Sequence, residues 1–404
     1  MREGTKTALF AGAALALAIA AALVEPERRT PSILSDQGAA FYPKFSDPQA
    51  ARTIEVVDYD EATATARPFS VEFQKGRWVL PTHSNYPLDA GERLAKTAAA
   101  LIDLRRDIVT SDAVPDQGKY GVIDPLDAKA AELKGRGKRV TLRDARKEVL
   151  ADFIFGRAVE GKPGYRYVRL PGQKRIYAVK TDADPSARFA DWVNAAIVRV
   201  SAGSIRRVII QSYSIDEASG RLANMDTIQL TKEGGAWKMA GAGKLNSGVM
   251  SAMESALENL KIVDAKPKPP SLAADLKEGR FQLSLEAAVS LRQRGFFVTP
   301  NGRLLANEGE MIVETQNGLA YAFRFGEIAI GEGAPKTAAA TGGENRYLFA
   351  TVNFDAARAA KYGDTSGDGE RQARSLNARM ADWYYVISGS DFLRLRPKRK
   401  DLTR

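Results

Sequence analysis

The chain contains no cysteine and a single histidine, His83. Without cysteine there is no disulfide, no thiolate metal site and no cysteine nucleophile. One histidine cannot build a His-based metal cluster, and any histidine-dependent triad would have to pass through His83. That residue sits in PTHSNYP, a proline-flanked turn, and reads as a plain loop histidine. Long apolar runs are equally scarce: Thr7 to Val24 (TALFAGAALALAIAAALV) is one, and nothing comparable follows it.

Those uncharged positions, about 18 in number, span about 27 Å as a helix, close to the hydrocarbon thickness of a bilayer. Arg2 and Lys6 precede the run, so the positive-inside tendency leaves a short cytoplasmic tail and exports everything after Glu25. The segment reads as a single-pass anchor in the inner (cytoplasmic) membrane. It is rich in alanine, and Ala18-Ile19-Ala20 resembles a small-residue cleavage site, so a cleaved signal peptide competes with the anchor, and a buried soluble helix competes with both. The first two readings place the bulk of the chain on the periplasmic side. A cysteine-free composition suits that compartment.

The remainder is long enough for two domains of ordinary size. Apolar content of 44% and charged content of 27% are those of a globular fold, not of a disordered tether. The formal charge is +10. It favours anionic lipid headgroups, acidic glycans or an acidic protein partner, although a solvated basic surface needs no partner at all. Nucleic acid is not expected outside the membrane.

What the chain does have is an internal repeat. PFSVEFQKGRWVLP, with Val71, Phe73, Lys75 and Trp78, matches DTIQLTKEGGAWKMA, with Ile228, Leu230, Lys232 and Trp237. The alternation marks half-buried strands, and Lys75-Gly76 and Glu233-Gly234-Gly235 suit hairpin turns. A helix follows in each copy, with Leu94, Ala98, Leu101, Leu104 and Ile108 on one face in the first, and Val249, Met253, Leu257 and Leu260 in the second. Next, DFIFGRAVEG around Phe155-Gly156 matches AFRFGEIAIGEG around Phe325-Gly326, each leading to a tyrosine-containing strand (YRYVRL, RYLFATV). Last, ARFADW ending in Trp192 matches ARMADW ending in Trp383. The fold class expected is therefore α+β: an anchor or signal peptide at 1–24, a linker at 25–49, and two tandem homologous modules at 50–202 and 203–404. Each module is a strand-rich sheet with one or two helices on a face, and the second ends in a basic tail. Repetition assigns Trp78, Trp237, Tyr165, Tyr167, Tyr384 and Tyr385 to packing rather than to ligand stacking. The segments 264–271, 333–345 and 361–372 read as loops.

Chemical motifs fail one by one. Asp364, Ser366, Asp368 and Gly369 imitate half of a calcium loop, but Ser375 stands where its bidentate carboxylate belongs. GAGKLNSG imitates a phosphate loop, with Lys238 in place of the first glycine and Leu245 in place of the magnesium-binding hydroxyl. Asp58, Asp60 and Glu61 are acids close in sequence and no more. The densest positive cluster is the tail RLRPKRKDLTR, with Arg394, Arg396, Lys398, Arg399 and Lys400, which reads either as a frayed terminus or as a contact to lipid phosphates. No catalytic, cofactor-binding or metal-ligating residue is assigned, and no cofactor is expected.

GRWVLP, YGVIDP at Tyr120 to Pro125, GYRYVRLPGQKRIYAV, the NEGE of Asn307 to Glu310 with AYAFRFGE, and ADWYYVIS together resemble the domain of unknown function 4340, over nearly all of the exported chain. These are strand and packing signatures. The resemblance implies a membrane-associated accessory role beside ABC-type transport systems of the gliding-motility kind, with transporter subunits as partners, and it carries no catalytic residues. The leading expectation is a non-enzymatic, membrane-anchored accessory or scaffold subunit of such an assembly. The alternative is a periplasmic module that binds an anionic glycan or lipid headgroup in a cleft between the repeats. A carboxylate-based hydrolase is the third reading, and the weakest, because the usual nucleophile and base sets are missing.

Overall fold

The computed structural model describes residues 37–404 apart from 89, 195, 197, 199, 217–220, 280–282, 300, 330–343, 365 and 404. The apolar run Thr7 to Val24 and most of the loop expected at 333–345 lie outside these residues. Among the described residues no helix is long and apolar enough to cross a membrane.

The fold is α+β, built on two large antiparallel sheets. The first contains β1 (Thr53–Asp60), β2 (Thr65–Gln74), β3 (Arg77–Leu80), β4 (Tyr86–Leu88), β5 (Ile108–Ser111), β6 (Lys138–Arg143), β7 (Val149–Ala158), β8 (Tyr165–Arg169) and β9 (Ile176–Lys180), in the order β4-β3-β2-β1-β6-β7-β8-β9-β5. The second contains β10 (Ile205–Asp216), β11 (Arg221–Glu233), β12 (Ala236–Met239), β13 (Ile262–Pro267), β16 (Glu310–Thr315), β17 (Leu319–Ile328), β18 (Arg346–Phe354) and β19 (Trp383–Ile387), in the order β12-β11-β10-β16-β17-β18-β19-β13. Apart from the extra edge strand β4, the two orders are the same when each strand is replaced by its counterpart. A two-stranded ribbon, β14 (Phe296–Val298) with β15 (Leu304–Ala306), stands apart.

Local sequence explains the hairpins. Val56 pairs with Phe69 and Ile54 with Val71, all four buried, so one face of β1 and β2 is apolar. The β2–β3 turn holds Lys75 and Gly76 at φ 49 and 81, and the β11–β12 turn holds Gly234 and Gly235 at φ 55 and 83. Two successive positive φ angles match the right-handed twist of the flanking strands, and glycine reaches them without steric cost.

In each half a helix covers the sheet: α1 (Gly91–Ile102) buries Leu94, Ala98 and Leu101, and α3 (Ser247–Glu258) buries Met250, Met253, Ala256 and Leu257. Between them lies the short α2 (Asp116–Tyr120). Ile108, expected on the helix face, instead opens β5, because α1 stops at Ile102. Phe155-Gly156 and Phe325-Gly326 occupy matching places in β7 and β17, each at a break in strand register. A side chain at Gly156 would collide with the Tyr120 carbonyl oxygen, and one at Gly326 with the Arg294 carbonyl oxygen. ARFADW and ARMADW do not match in this way. Trp192 follows β9 in a 3-10 turn (Phe189–Asp191), whereas Trp383 opens β19.

The second half carries more helices: α4 (Pro270–Lys277), α5 (Leu285–Arg292), α6 (Ala356–Lys361), α7 (Gly369–Met380), α8 (Gly389–Leu395) and α9 (Arg399–Leu402). One apolar cluster runs through both sheets, from Ile54 and Phe153 to Val208, Phe323 and Tyr385. Residues 37–49, read from sequence as linker, belong to this body. Phe41 and Phe45 are buried in the cluster, and the Phe41 ring meets Phe153 and Tyr177 edge-on.

The basic tail is not frayed. Leu402 is fully buried, Thr403 bridges to Leu245, Arg399 pairs with Asp226 at 2.5 Å, and Arg396 pairs with Glu308 at 2.7 Å. Burial of one leucine and cross-chain ion pairs hold a segment whose own composition reads as disordered.

Candidate functional site at the junction of the two sheets

The two halves meet where the 3-10 turn Pro81–His83 and the Phe189–Asp191 turn face β13 and the start of β19. Proline at the first position of the Pro81 turn fixes its φ, and the chain leaves through Ser84 in the left-handed region. His83 is thereby turned inward. It is buried, not an exposed loop residue, with Nε2 3.6 Å from Asp264 Oδ1 and Nδ1 3.0 Å from Thr82 Oγ1. Asp264, also buried, accepts the Ala265 N–H at 2.7 Å and the Lys266 ammonium at 3.0 Å.

Aromatic rings continue the contact. His83 lies 5.8 Å from Phe69 and 5.0 Å from Phe189; Tyr86 lies 5.1 Å from Phe189 and 4.8 Å from Trp383. This row of rings carries the first core across to the second, in the tilted and edge-on geometries that aromatic quadrupoles favour. With both members shut away from solvent, the His83–Asp264 pair orders the junction.

Beside the row lies an open cleft of ≈ 680 Å³ whose walls include Tyr86, Arg93, Asp191, Arg379, Asp382 and Trp383. Arg93 donates to the Asp191 carbonyl oxygen and stacks its guanidinium 5.0 Å from the buried Trp192 ring. Burial raises the Asp191 carboxyl, but hydrogen bonds from Ser186 and Arg188 outweigh it and hold the group below the usual carboxylate range. The Tyr86 phenol is pushed up by burial against the opposing pull of the Arg379 charge. The cleft thus offers half-buried rings flanked by two guanidinium groups, a surface suited to stacking and to anions.

ARFADW and ARMADW match in sequence as the last element of the repeat, ending in Trp192 and Trp383. The structure places the two tryptophans in different elements, yet both line one cleft. Nothing in the local pattern signals this, because the meeting depends on how the two sheets dock. Trp78 and Trp237 are half-buried against the core, and Tyr384 and Tyr385 are buried, which agrees with packing.

The remaining motifs make contacts within the fold. Asp364 accepts from its own turn at Ser366, and among the described residues no cluster could hold a metal. Asn246 of GAGKLNSG caps α3. Buried Arg169 donates to Val122 O at 2.8 Å and Gln173 O at 2.9 Å, so GYRYVRLPGQKRIYAV clamps the YGVIDP loop. In the NEGE stretch Glu310 is buried between Arg303 at 2.7 Å and Arg324 at 3.1 Å.

Two docked antiparallel sheets of matching strand order, with an aromatic junction and an adjoining cleft, define the class: a two-sheet α+β protein. Residues 78–279, half of the chain, match the family model described as domain of unknown function (DUF4340), and the chain belongs to that family. The match begins in β3 and ends just past α4, so it crosses the junction but leaves out β16 to β19 and with them the NEGE, AYAFRFGE and ADWYYVIS stretches. Among curated proteins and solved structures nothing matches the chain.

Proposed function

We propose that the protein is a non-enzymatic accessory or scaffold subunit of an ABC-type transport assembly, anchored in the inner membrane through Thr7 to Val24, with its two-sheet body on the periplasmic side. We further read the body as two homologous copies of one module. The observation that carries the scaffold reading is the row of rings from Phe69 to Trp383, which joins both sheets into one core. A body with a continuous core presents its surfaces in a fixed relation, as a scaffold must. The sole histidine is committed to that junction, which removes the side chain most often used for acid–base chemistry. The test is affinity purification of the full-length protein from native membranes in mild detergent, with a chain lacking residues 1–25 as control. Recovery of transporter ATPase or permease subunits with the full chain supports the proposal; their absence from a well-folded preparation sinks it.

The cleft favours a second reading, in which the protein binds an anionic glycan or lipid headgroup between the modules. Arg93 and Arg379 supply charge and Trp383 a stacking face. Salt-sensitive retention on peptidoglycan or on anionic liposomes, lost in Trp383→Ala, is the expected result; no retention at low salt removes this reading.

A further inference from the structure

A smaller cavity, of ≈ 190 Å³, is lined by Lys268, Leu276, Phe349, Thr351, Asn377 and Met380 among others. Lys268 follows β13 and is only 6% exposed. Its Nζ donates to Met380 O at 2.9 Å and Trp383 O at 2.5 Å and lies 4.4 Å from the centre of the Phe349 ring. An ammonium has three hydrogens, and these bonds take two. No carboxylate pairs with it among the described residues: the nearby Asp382 has its carboxylate on Lys277 at 2.6 Å. Buried cations are normally paired, because desolvation costs more than neutral hydrogen bonds return.

The other polar groups of the lining also have donors to spare. The Thr351 hydroxyl oxygen accepts from Arg324 at 2.9 Å, which leaves its own hydrogen to give. Asn377 is held by the Val352 backbone, with Oδ1 accepting at 2.9 Å and Nδ2 donating one hydrogen at 2.6 Å, which leaves the second. Leu276, Phe349 and Met380 make the rest of the wall apolar. A donor-rich, apolar-walled cavity that holds a buried amine with no carboxylate on it is complementary to an acceptor that carries negative charge and a hydrocarbon tail.

We propose that this cavity is a ligand site for a small monocarboxylate, its carboxylate on Lys268, Thr351 and Asn377 and its tail against Leu276, Phe349 and Met380. A cavity of about 150 Å³ is enough for benzene, which sets the tail at about six carbons. Burial pushes the Lys268 amine down to about 7, with the Asp382 charge pulling the other way. The charged and titratable groups around it are Asp382 with its partner Lys277, the Tyr384 ring with Arg294 at 4.6 Å, and Arg324 behind Thr351. A bound carboxylate favours the ammonium, so at pH 8 binding draws a proton from the buffer.

The test is titration calorimetry of the full chain in mild detergent at pH 8 with hexanoate, hexanol and hexylamine, in two buffers of different ionisation enthalpy. Hexanoate is expected to bind with proton uptake, and hexanol and hexylamine to bind at least about tenfold more weakly. Lys268→Met should lose about tenfold or more in hexanoate affinity and all of the proton uptake, and Thr351→Val should lose a few-fold while keeping the uptake. Removal of a buried amine that no carboxylate pairs is not expected to unfold the chain, and circular dichroism of both variants checks this. Equal binding of hexanol and hexanoate, unchanged binding in Lys268→Met, or no hexanoate binding at all overturns the proposal. If Lys268→Met does not fold, Thr351→Val and the three-ligand comparison decide it alone. The site is independent of the junction cleft and of the transport reading.

Discussion

The two sheets share their strand order, their hairpin turns and the Phe-Gly register break, and they differ in what is inserted between equivalent strands. Between β8 and β9 the first half has a tight turn through Gly172, while between β18 and β19 the second half inserts α6 and α7. Between β5 and β6 the first half has α2 and loops, while between β13 and β16 the second half inserts α4, α5 and the β14–β15 ribbon, which pack a small core of their own around Phe296 and Tyr384. The end of α7 supplies Arg379 to the cleft and Met380 to the cavity that holds Lys268, and the turn after it supplies Asp382 to the cleft. What the halves have in common is densely packed. The insertions supply one part of the cleft and much of the lining of the Lys268 cavity, since an insertion can leave space that paired strands cannot.

The largest effect expected from breaking this comparison is at its seam. Phe189→Ala removes a buried ring that touches both His83 and Tyr86, and should cost about 4 kcal/mol. Urea unfolding followed by tryptophan fluorescence and by far-UV circular dichroism should change from one coincident transition to two, as the sheets lose their shared core. Coincident transitions in the variant would show that the halves are coupled elsewhere.

Next come the paired glycines. Gly156→Ala and Gly326→Ala each press a methyl group into a backbone carbonyl, and each should cost about 2–3 kcal/mol. If one is tolerated and the other is not, the register break is a structural equivalence without a common packing requirement. Equal losses in denaturant midpoint sharpen the opposite conclusion.

Lys268 distinguishes the halves by pH. Its folded value of about 7 lies below its unfolded value, so between these two the unfolded chain holds a proton that the folded chain has released. Stability therefore rises with pH through that window, by at most about 1.4 kcal/mol for each pH unit. The stability difference between the native chain and Lys268→Met, measured by urea unfolding at pH 7, 8 and 9, should move in the native chain's favour at each step. A flat difference would mean that Lys268 titrates as a surface lysine does. The smallest effect belongs to the tail: Arg399 and Asp226 are both more than two-fifths exposed, and Arg399→Ala should cost about 0.5 kcal/mol or less in the same assay.

Much of the fold was legible because it rests on local periodicity. Apolar alternation located β2, β3, β11 and β12, and the spacing of Leu94, Ala98 and Leu101 located α1. The helix was read past its end, through Ile108, because an apolar residue at the next helical spacing is also a residue that strands favour. The frayed reading of the tail and the linker reading of residues 37–49 fail for a related reason: basic or loop-like composition says nothing of a leucine or phenylalanine that finds a remote pocket. The site was not legible at all. PTHSNYP looks like any exposed turn until Asp264 and Phe189 enclose it.

By itself the sequence determined the α+β class, the turns, the helix faces and the recurrence of one strand series, because these follow from neighbours a few residues apart. Only the tertiary structure decided which residues lost water. His83 meets Asp264, and Lys268 meets the end of α7, across more than a hundred residues of chain. Burial and the charge balance of a cavity are properties of such long-range meetings, and no single segment of the chain contains both partners.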